Sequence, residues 1–186
     1  MNTRRPWTRL GVVTMGAHVF YELAAGVAMP FASVAGPAPA AAVWATGTAL
    51  SYTAAGRRDH RSDAFFALMN GVFLAAVAAH FTYWPTRRGA GVPWLVECEG
   101  MRGWVVVPYN GILYTSALAA AAGLVENGRA GRRGAVVPVV LVPVLLRAQR
   151  IEFGRLTAQA QRDPGWWNRR LTTASGRARP PRRRSR

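Results

Sequence analysis

Residues 64–84 read AFFALMNGVFLAAVAAHFTYW. These 21 residues hold no Asp, Glu, Lys or Arg. A helix of that length covers about 31 Å, which matches the hydrocarbon core of a bilayer. Three stretches of the same kind flank it, from Leu10 to Phe31, from Ala38 to Ala55 and from Trp104 to Val125. A fifth, from Ala135 to Leu146, has only 12 residues and contains Pro138 and Pro143. It covers roughly 18 Å and reads as re-entrant or interfacial. The expected fold class is therefore all-α, a polytopic membrane helix bundle with four full transmembrane helices and a short fifth Pro-containing segment. The bundle and an interfacial C-terminal region are expected over residues 1–173. An Arg/Pro-rich tail, 174–186, has almost nothing to bury and is expected to be disordered.

Composition points the same way. Of the 186 residues, 51% are apolar and 17% charged, against about 25% charged in an ordinary soluble domain. All 24 basic residues are Arg, and with 8 acids the net charge is +16. The Arg residues sit in short blocks between apolar runs, which is the pattern of membrane-flanking loops and not of a nucleic-acid groove. The single Cys98 excludes an intrachain disulfide framework and a CxxC pair. There is no Walker loop and no dinucleotide-binding fingerprint. The first stretch is too long for the apolar region of a signal peptide, and it carries His18 and Glu22.

Counting Arg sets the expected orientation. Residues 1–9, 56–63, 85–103 and 127–134 carry 3 each, and 147–186 carry 12. Four spans with an inside N-terminus put 21 Arg inside and 3 outside, in accord with the positive-inside rule. Five spans with an outside N-terminus give 15 inside and 9 outside, the competing arrangement. The Ala, Gly and all-Arg usage suggests a GC-rich bacterial genome, so the expected location is the cytoplasmic membrane with both termini cytoplasmic. The Arg-rich tail is expected to attract anionic lipids. Trp84, Trp94 and Trp104 fall near one interface and Trp7 near the other.

Ionisable groups inside spans mark candidate chemistry. His18 and Glu22 are four residues apart, on one face of the first helix. A His beside a carboxyl in a low dielectric suits proton transfer. Depth counting puts Glu22, His80, Asn110, Tyr114 and the pair Glu97 and Glu99 in the same half of the bilayer. The competing reading is a set of polar pairs that only pin helix packing. Glu97-Cys98-Glu99-Gly100 reads either as a cap carrying acids over a cavity or as an ordinary wet loop. Asp59, His60 and Asp63 read as a solvated charge cluster, and Glu126 as the exit of the fourth helix. Counted from the starts of their segments, His18 and His80 lie about 12 Å apart in depth, so neither bis-His haem nor any other cofactor is expected. With 3 His and 1 Cys, no metal site is expected either.

The run His18-Val19-Phe20-Tyr21-Glu22 resembles the His-x-x-x-Glu stretch of the emopamil-binding (EXPERA) superfamily of small sterol isomerases and lipid-binding proteins. It is also similar to small membrane-bound terpene cyclases, which start a carbocation cascade with an intramembrane acid. The resemblance covers residues 18–22. It implies a bundle with an intramembrane cavity and proton donation or cation stabilisation by His18 and Glu22. The expected function is thus an intramembrane isomerase or cyclase acting on an isoprenoid or sterol-like lipid by carboxyl acid/base catalysis. Glu22, tuned by His18, would be the acid or base, with Glu97 or Glu99 its complement. His80, Asn110 and Tyr114 would orient the substrate, and Trp44, Phe73 and Tyr109 would offer ring faces to a cation. The alternatives are a non-enzymatic lipid-binding or assembly subunit and a small proton-coupled transporter.

Overall fold

The computed structural model describes residues 5–57 and 59–174. Residues 1–4, residue 58 and the tail 175–186 lie outside the described residues, and so does the expectation for that tail. The chain is mostly helical. Five long helices, α1 (Pro6–Ala25), α3 (Pro37–Ala55), α4 (Asp63–Tyr83), α5 (Val106–Glu126) and α6 (Gly131–Arg162), run between two ends, and the short α2 (Ala32–Ala35) and α7 (Leu171–Ala174) lie in the connections. Three segments, His60–Tyr83, Gly103–Glu126 and Gly128–Arg162, are helices long and apolar enough to cross a membrane.

The last of these departs from expectation. Instead of a short re-entrant piece, α6 is one helix of 32 residues that runs through Pro138 and Pro143. Proline is tolerated in apolar helices whose freed backbone groups find other partners. Beyond Leu146 the sequence stops being uniformly apolar, yet it keeps helical spacing. Phe153, Leu156 and Ala160 are buried along one stripe while Arg150 and Arg155 stay exposed. The first apolar stretch is also shorter than read. α1 ends at Ala25 because Gly26 takes φ 78°, with Gly26 N–H donating to Leu23 O and Val27 N–H to Glu22 O. This is the paired bonding of a Schellman stop, which a residue without Cβ favours.

The N-terminal ends of α1 and α4 are held level by one buried cation. Arg5, 6% exposed, donates to Asp63 Oδ1 at 2.6 Å, to Asp59 O at 2.6 Å and to Arg57 O at 3.0 Å, with its guanidinium 4.7 Å from the Phe66 ring centroid. Asp63 is therefore an ion-pair partner and not part of a loose solvated cluster. Glu126, at the end of α5, does more than close its own helix. Its carboxylate accepts the N–H groups of Trp7 at 3.2 Å and Thr8 at 3.0 Å. It thus caps the first turn of α1, where a negative charge is favoured.

At the opposite end, residues 84–105 form two small antiparallel hairpins, the part of the chain that was expected to be loop. β1 (Thr86–Gly89) pairs with β2 (Val92–Leu95), and β3 (Glu97–Cys98) with β4 (Met101–Arg102). Each closes through two residues at positive φ, Ala90-Gly91 and Glu99-Gly100, the geometry of a primed hairpin turn. Leu95, Cys98 and Met101 are wholly buried beneath them. The segment before α7 docks here as well. Ala28 N–H donates to Trp167 O at 2.7 Å, and Arg170 Nε donates to Ala25 O at 2.7 Å, supplying the carbonyl end of α1 with donors. Trp167 is buried and Trp166 exposed. The described C-terminal residues thus lie at the end of the bundle opposite the start of α1.

Small residues let the helices meet. A Cβ on Gly134 of α6 would stand 2.1 Å from Ala67 O of α4, and one on Gly71 would stand 2.3 Å from Gly134 O. Elsewhere α6 turns an apolar face outward, with Val136, Val139, Val140 and Val144 all exposed. Gly134→Leu should therefore destabilise the bundle by about 2 kcal/mol or more, read as a lowered melting temperature in detergent. Gly154→Ala on the same helix, where an added Cβ meets nothing within 4 Å, should leave melting unchanged or slightly raised.

Candidate functional site

Four buried or nearly buried polar side chains meet one turn inside the hairpin-covered end. His18 and Glu22 come from α1, His80 from the last turn of α4 and Tyr109 from the first turn of α5. The (i, i+4) spacing on α1 brings His18 Nε2 to 2.9 Å from Glu22 Oε1. His80 Nε2 is 3.5 Å from the same oxygen. The Tyr109 hydroxyl donates to it too, and stands 3.0 Å from His18 Nε2. His18 and Glu22 are each 3% exposed and Tyr109 is wholly buried. The two imidazoles meet edge to face with ring centroids 4.8 Å apart.

That contact corrects the depth count, which set His18 and His80 about 12 Å apart. The count began at the first apolar residue of each stretch. The true common level is the Arg5–Asp63 pair. From it His18 is 13 residues along and His80 is 17, a difference of 4, or about 6 Å. The reach of two imidazoles closes the remainder.

Proton placement follows from the partners. His80 Nδ1 lies 2.8 Å from Ala76 O. A carbonyl only accepts, so Nδ1 carries the hydrogen, and Nε2 of a neutral His80 would turn a lone pair towards Glu22 Oε1. Two acceptors do not face each other at 3.5 Å without a cation or proton between them. Tyr109 donates to the carboxylate, and His18 Nε2–H can do the same. His18 Nδ1 is buried without a hydrogen-bond partner. The arrangement can hold a carboxylate against an imidazolium and pass a proton among Glu22, His80 and Tyr109.

The other sequence candidates fall in different places. Glu97 pairs with Arg102 across β3 and β4, partly exposed and away from the cluster. Glu99 sits at the tip of that hairpin, beside Gln149 and within electrostatic reach of Glu22 and Glu152 of α6. Asn110 has its side chain fully engaged. Its Oδ1 accepts from Leu95 N–H at 2.8 Å, and its Nδ2 donates to Leu95 O at 3.1 Å and Val106 O at 2.8 Å. It is a clamp between α5 and β2. The Tyr114 hydroxyl donates to Pro93 O, and its ring packs on Trp94. Trp44 Nε1–H donates to Pro30 O at 3.3 Å, with its ring stacked on Phe31. Phe73 lies beside Gly11, 11 residues up the helix from Glu22, about 16 Å away along α1. Tyr109 was read for its ring face, but it is the hydroxyl that joins the site.

Sequence reading passes over Ser33 and Gln149, and pairs Glu152 among Arg147, Arg150 and Arg155 unless the fifth segment folds into the bundle. Ser33 Oγ donates to Glu152 Oε2 at 2.5 Å. Gln149, Glu152, Phe153 and Leu156 recur at helical spacing, a face that becomes visible only once α6 is seen to continue past Leu146. No family model, curated protein or solved structure matches the chain.

Glu99 supplies a pH test of this end. Burial, and then the Glu22 carboxylate, push its carboxyl well above the usual glutamate range, while the Gln149 side chain draws it back. A carboxyl raised in the folded state leaves stability intact below the ordinary glutamate range. Stability is then lost as pH climbs towards and through the raised value. The melting temperature of the wild type should fall over that interval. Glu99→Gln should flatten the fall and be the more stable protein on its alkaline side, as followed by melts across a pH series.

Proposed function

We propose that the protein is an integral membrane enzyme of the isomerase or cyclase type. In this reading Glu22, His18, His80 and Tyr109 are the acid–base centre, and the substrate is an isoprenoid or sterol-like lipid entering from the bilayer. The observation that carries this reading is the convergence of two imidazoles and a phenol, from three helices, on one buried carboxylate oxygen. Two imidazoles and a phenol around one carboxylate give a proton several sites between which it can settle, which a centre that stores and delivers a proton needs. Glu22 is then the group that gives up or takes the proton. His80, held by Ala76 O in the tautomer that faces Glu22, is its exchange partner. Glu99 stands above it as a second acid within electrostatic reach.

All five long helices span in this proposal. Among the described residues, the end bearing 85–103 and 147–174 carries 9 Arg, against 7 at the end bearing 5–9, 56–57, 59–63 and 127–134. The positive-inside rule then turns the hairpin-covered end to the cytoplasm and the start of α1 outward. The outward valines of α6 face lipid. Reporter fusions at the two termini should give opposite sidedness; the same sidedness would remove the fifth span.

The chemistry is tested with Glu22→Gln. The amide preserves volume and can still bond across helices, but it cannot carry the acidic proton. Turnover of isoprenoid lipids extracted from a producing strain should drop by about 100-fold or more, with melting little changed. Undiminished turnover in Glu22→Gln would end the acid–base reading.

A further inference from the structure

We infer that His18, Glu22 and His80 form a binding site for a borderline divalent transition-metal ion of the Zn2+ class, with the Tyr109 oxygen at its fourth corner. The donor atoms of the three ligating residues lie within 4.8 Å of one another. Two imidazoles and a carboxylate are a donor set that suits such ions, and a Tyr or water oxygen completes four-coordination. Bonds of about 2.0–2.1 Å in a tetrahedron set neighbouring donors about 3.3 Å apart. The distances here are 2.9 Å from His18 Nε2 to Glu22 Oε1, 3.5 Å from His80 Nε2 to Glu22 Oε1, and 3.0 Å from His18 Nε2 to the Tyr109 oxygen. These edges need shifts of a few tenths of an ångström, and the His18–His80 edge, within 4.8 Å, would have to close by up to about 1.5 Å.

The tautomer of His80 strengthens the case. A ligating His usually donates its other ring N–H to a carbonyl or carboxylate, which fixes the lone pair on the metal. His80 Nδ1 does this with Ala76 O at 2.8 Å. The lone pair on Nε2 then faces a carboxylate, the electrostatic arrangement a cation would relieve. Among the described residues no Arg offers that charge, since the groups close to Glu22 are His18, His80 and Tyr109. His60 and Asp63, the other His–carboxylate pair among the described residues, are bonded at the other end, with His60 fully exposed and Asp63 held by Arg5.

The site uses the side chains of the proposed acid–base centre, but the inference does not rest on the lipid chemistry. Metal and proton compete for the same lone pairs, so a bound ion takes the place of the transferable proton. The metal would thereby regulate the centre by holding it closed to proton transfer.

The test uses the untagged full-length protein in detergent, stripped with a chelator and titrated with Co2+ and then Zn2+. One equivalent of Co2+ per chain should give the visible bands of a four-coordinate site, and Zn2+ should displace them. X-ray absorption of the Zn2+-loaded wild type should show two imidazoles in the ligand shell. His80→Ala should weaken binding by roughly 100-fold or more, while His60→Ala should leave it unchanged. A folded wild type that gives no saturable Co2+ spectrum, or a Zn2+ shell lacking two imidazoles, overturns the inference even if His80→Ala fails to fold. The two readings fail separately. A protein that binds no metal but loses turnover in Glu22→Gln sinks only the metal site. One that binds metal with two imidazoles, yet turns over no lipid after the metal is stripped, sinks only the lipid chemistry.

Discussion

A carboxylate buried between helices has to be surrounded by polar partners, and Glu22 draws its partners from three separate helices. His18 comes from its own helix, His80 from α4 and Tyr109 from α5. A slide of about 5 Å, one helical turn, along any of the three would remove a polar partner and leave a charge less compensated in an apolar interior. The register of α1, α4 and α5 is therefore set from inside, by one oxygen atom. Apolar packing between helices rich in Ala and Val would tolerate several registers.

The far end repeats the device with the sign reversed. Arg5 is a buried cation that gathers Asp63 and the carbonyls of Arg57 and Asp59. Glu126 adds a carboxylate over the bare N–H groups of α1. Between these ends the contacts are between small residues, Gly71 and Gly134 with Ala67, and Gly16 with Thr48. Such contacts bring backbones close without prescribing where along the axis they meet. Polar ends fix position and small residues allow proximity, a division of labour that suits the proposed place of the bundle in a membrane.

The helical class and the His18–Glu22 pair were legible in the sequence because both depend on local spacing. So was the sharing of one end by Glu22, His80 and Asn110. What escaped were features set by contacts distant in the chain. Helix α6 looked short because its apolar run ends at Leu146, while the stripe of Phe153, Leu156 and Ala160 is buried in a core shared with Val27, Met29 and Leu95, far away in the chain. Arg5 looked like one more loop charge, since nothing local tells that Asp63, 58 residues on, receives it. The distance between His18 and His80 was misjudged for the same reason, because it depends on where that pair levels the helices. The hairpins could have been found from Ala90-Gly91 and Glu99-Gly100, each a two-residue turn between short extended stretches.

Asn110 follows Tyr109 in the chain, and its amide grips both backbone groups of Leu95. The hairpin cover and the phenol of the site are therefore joined by adjacent residues on one turn of α5. Lifting β2 away would pull on the same turn that aims Tyr109 at Glu22. Admission of a molecule from the hairpin side and the integrity of the donor shell are mechanically opposed: the door cannot swing without loosening the lock. A route between helices, where α6 presents valines and little else, carries no such penalty. Under the proposed function the architecture thus favours sideways traffic over vertical traffic, and it does so through a single amide placed one residue from the proposed acid–base centre.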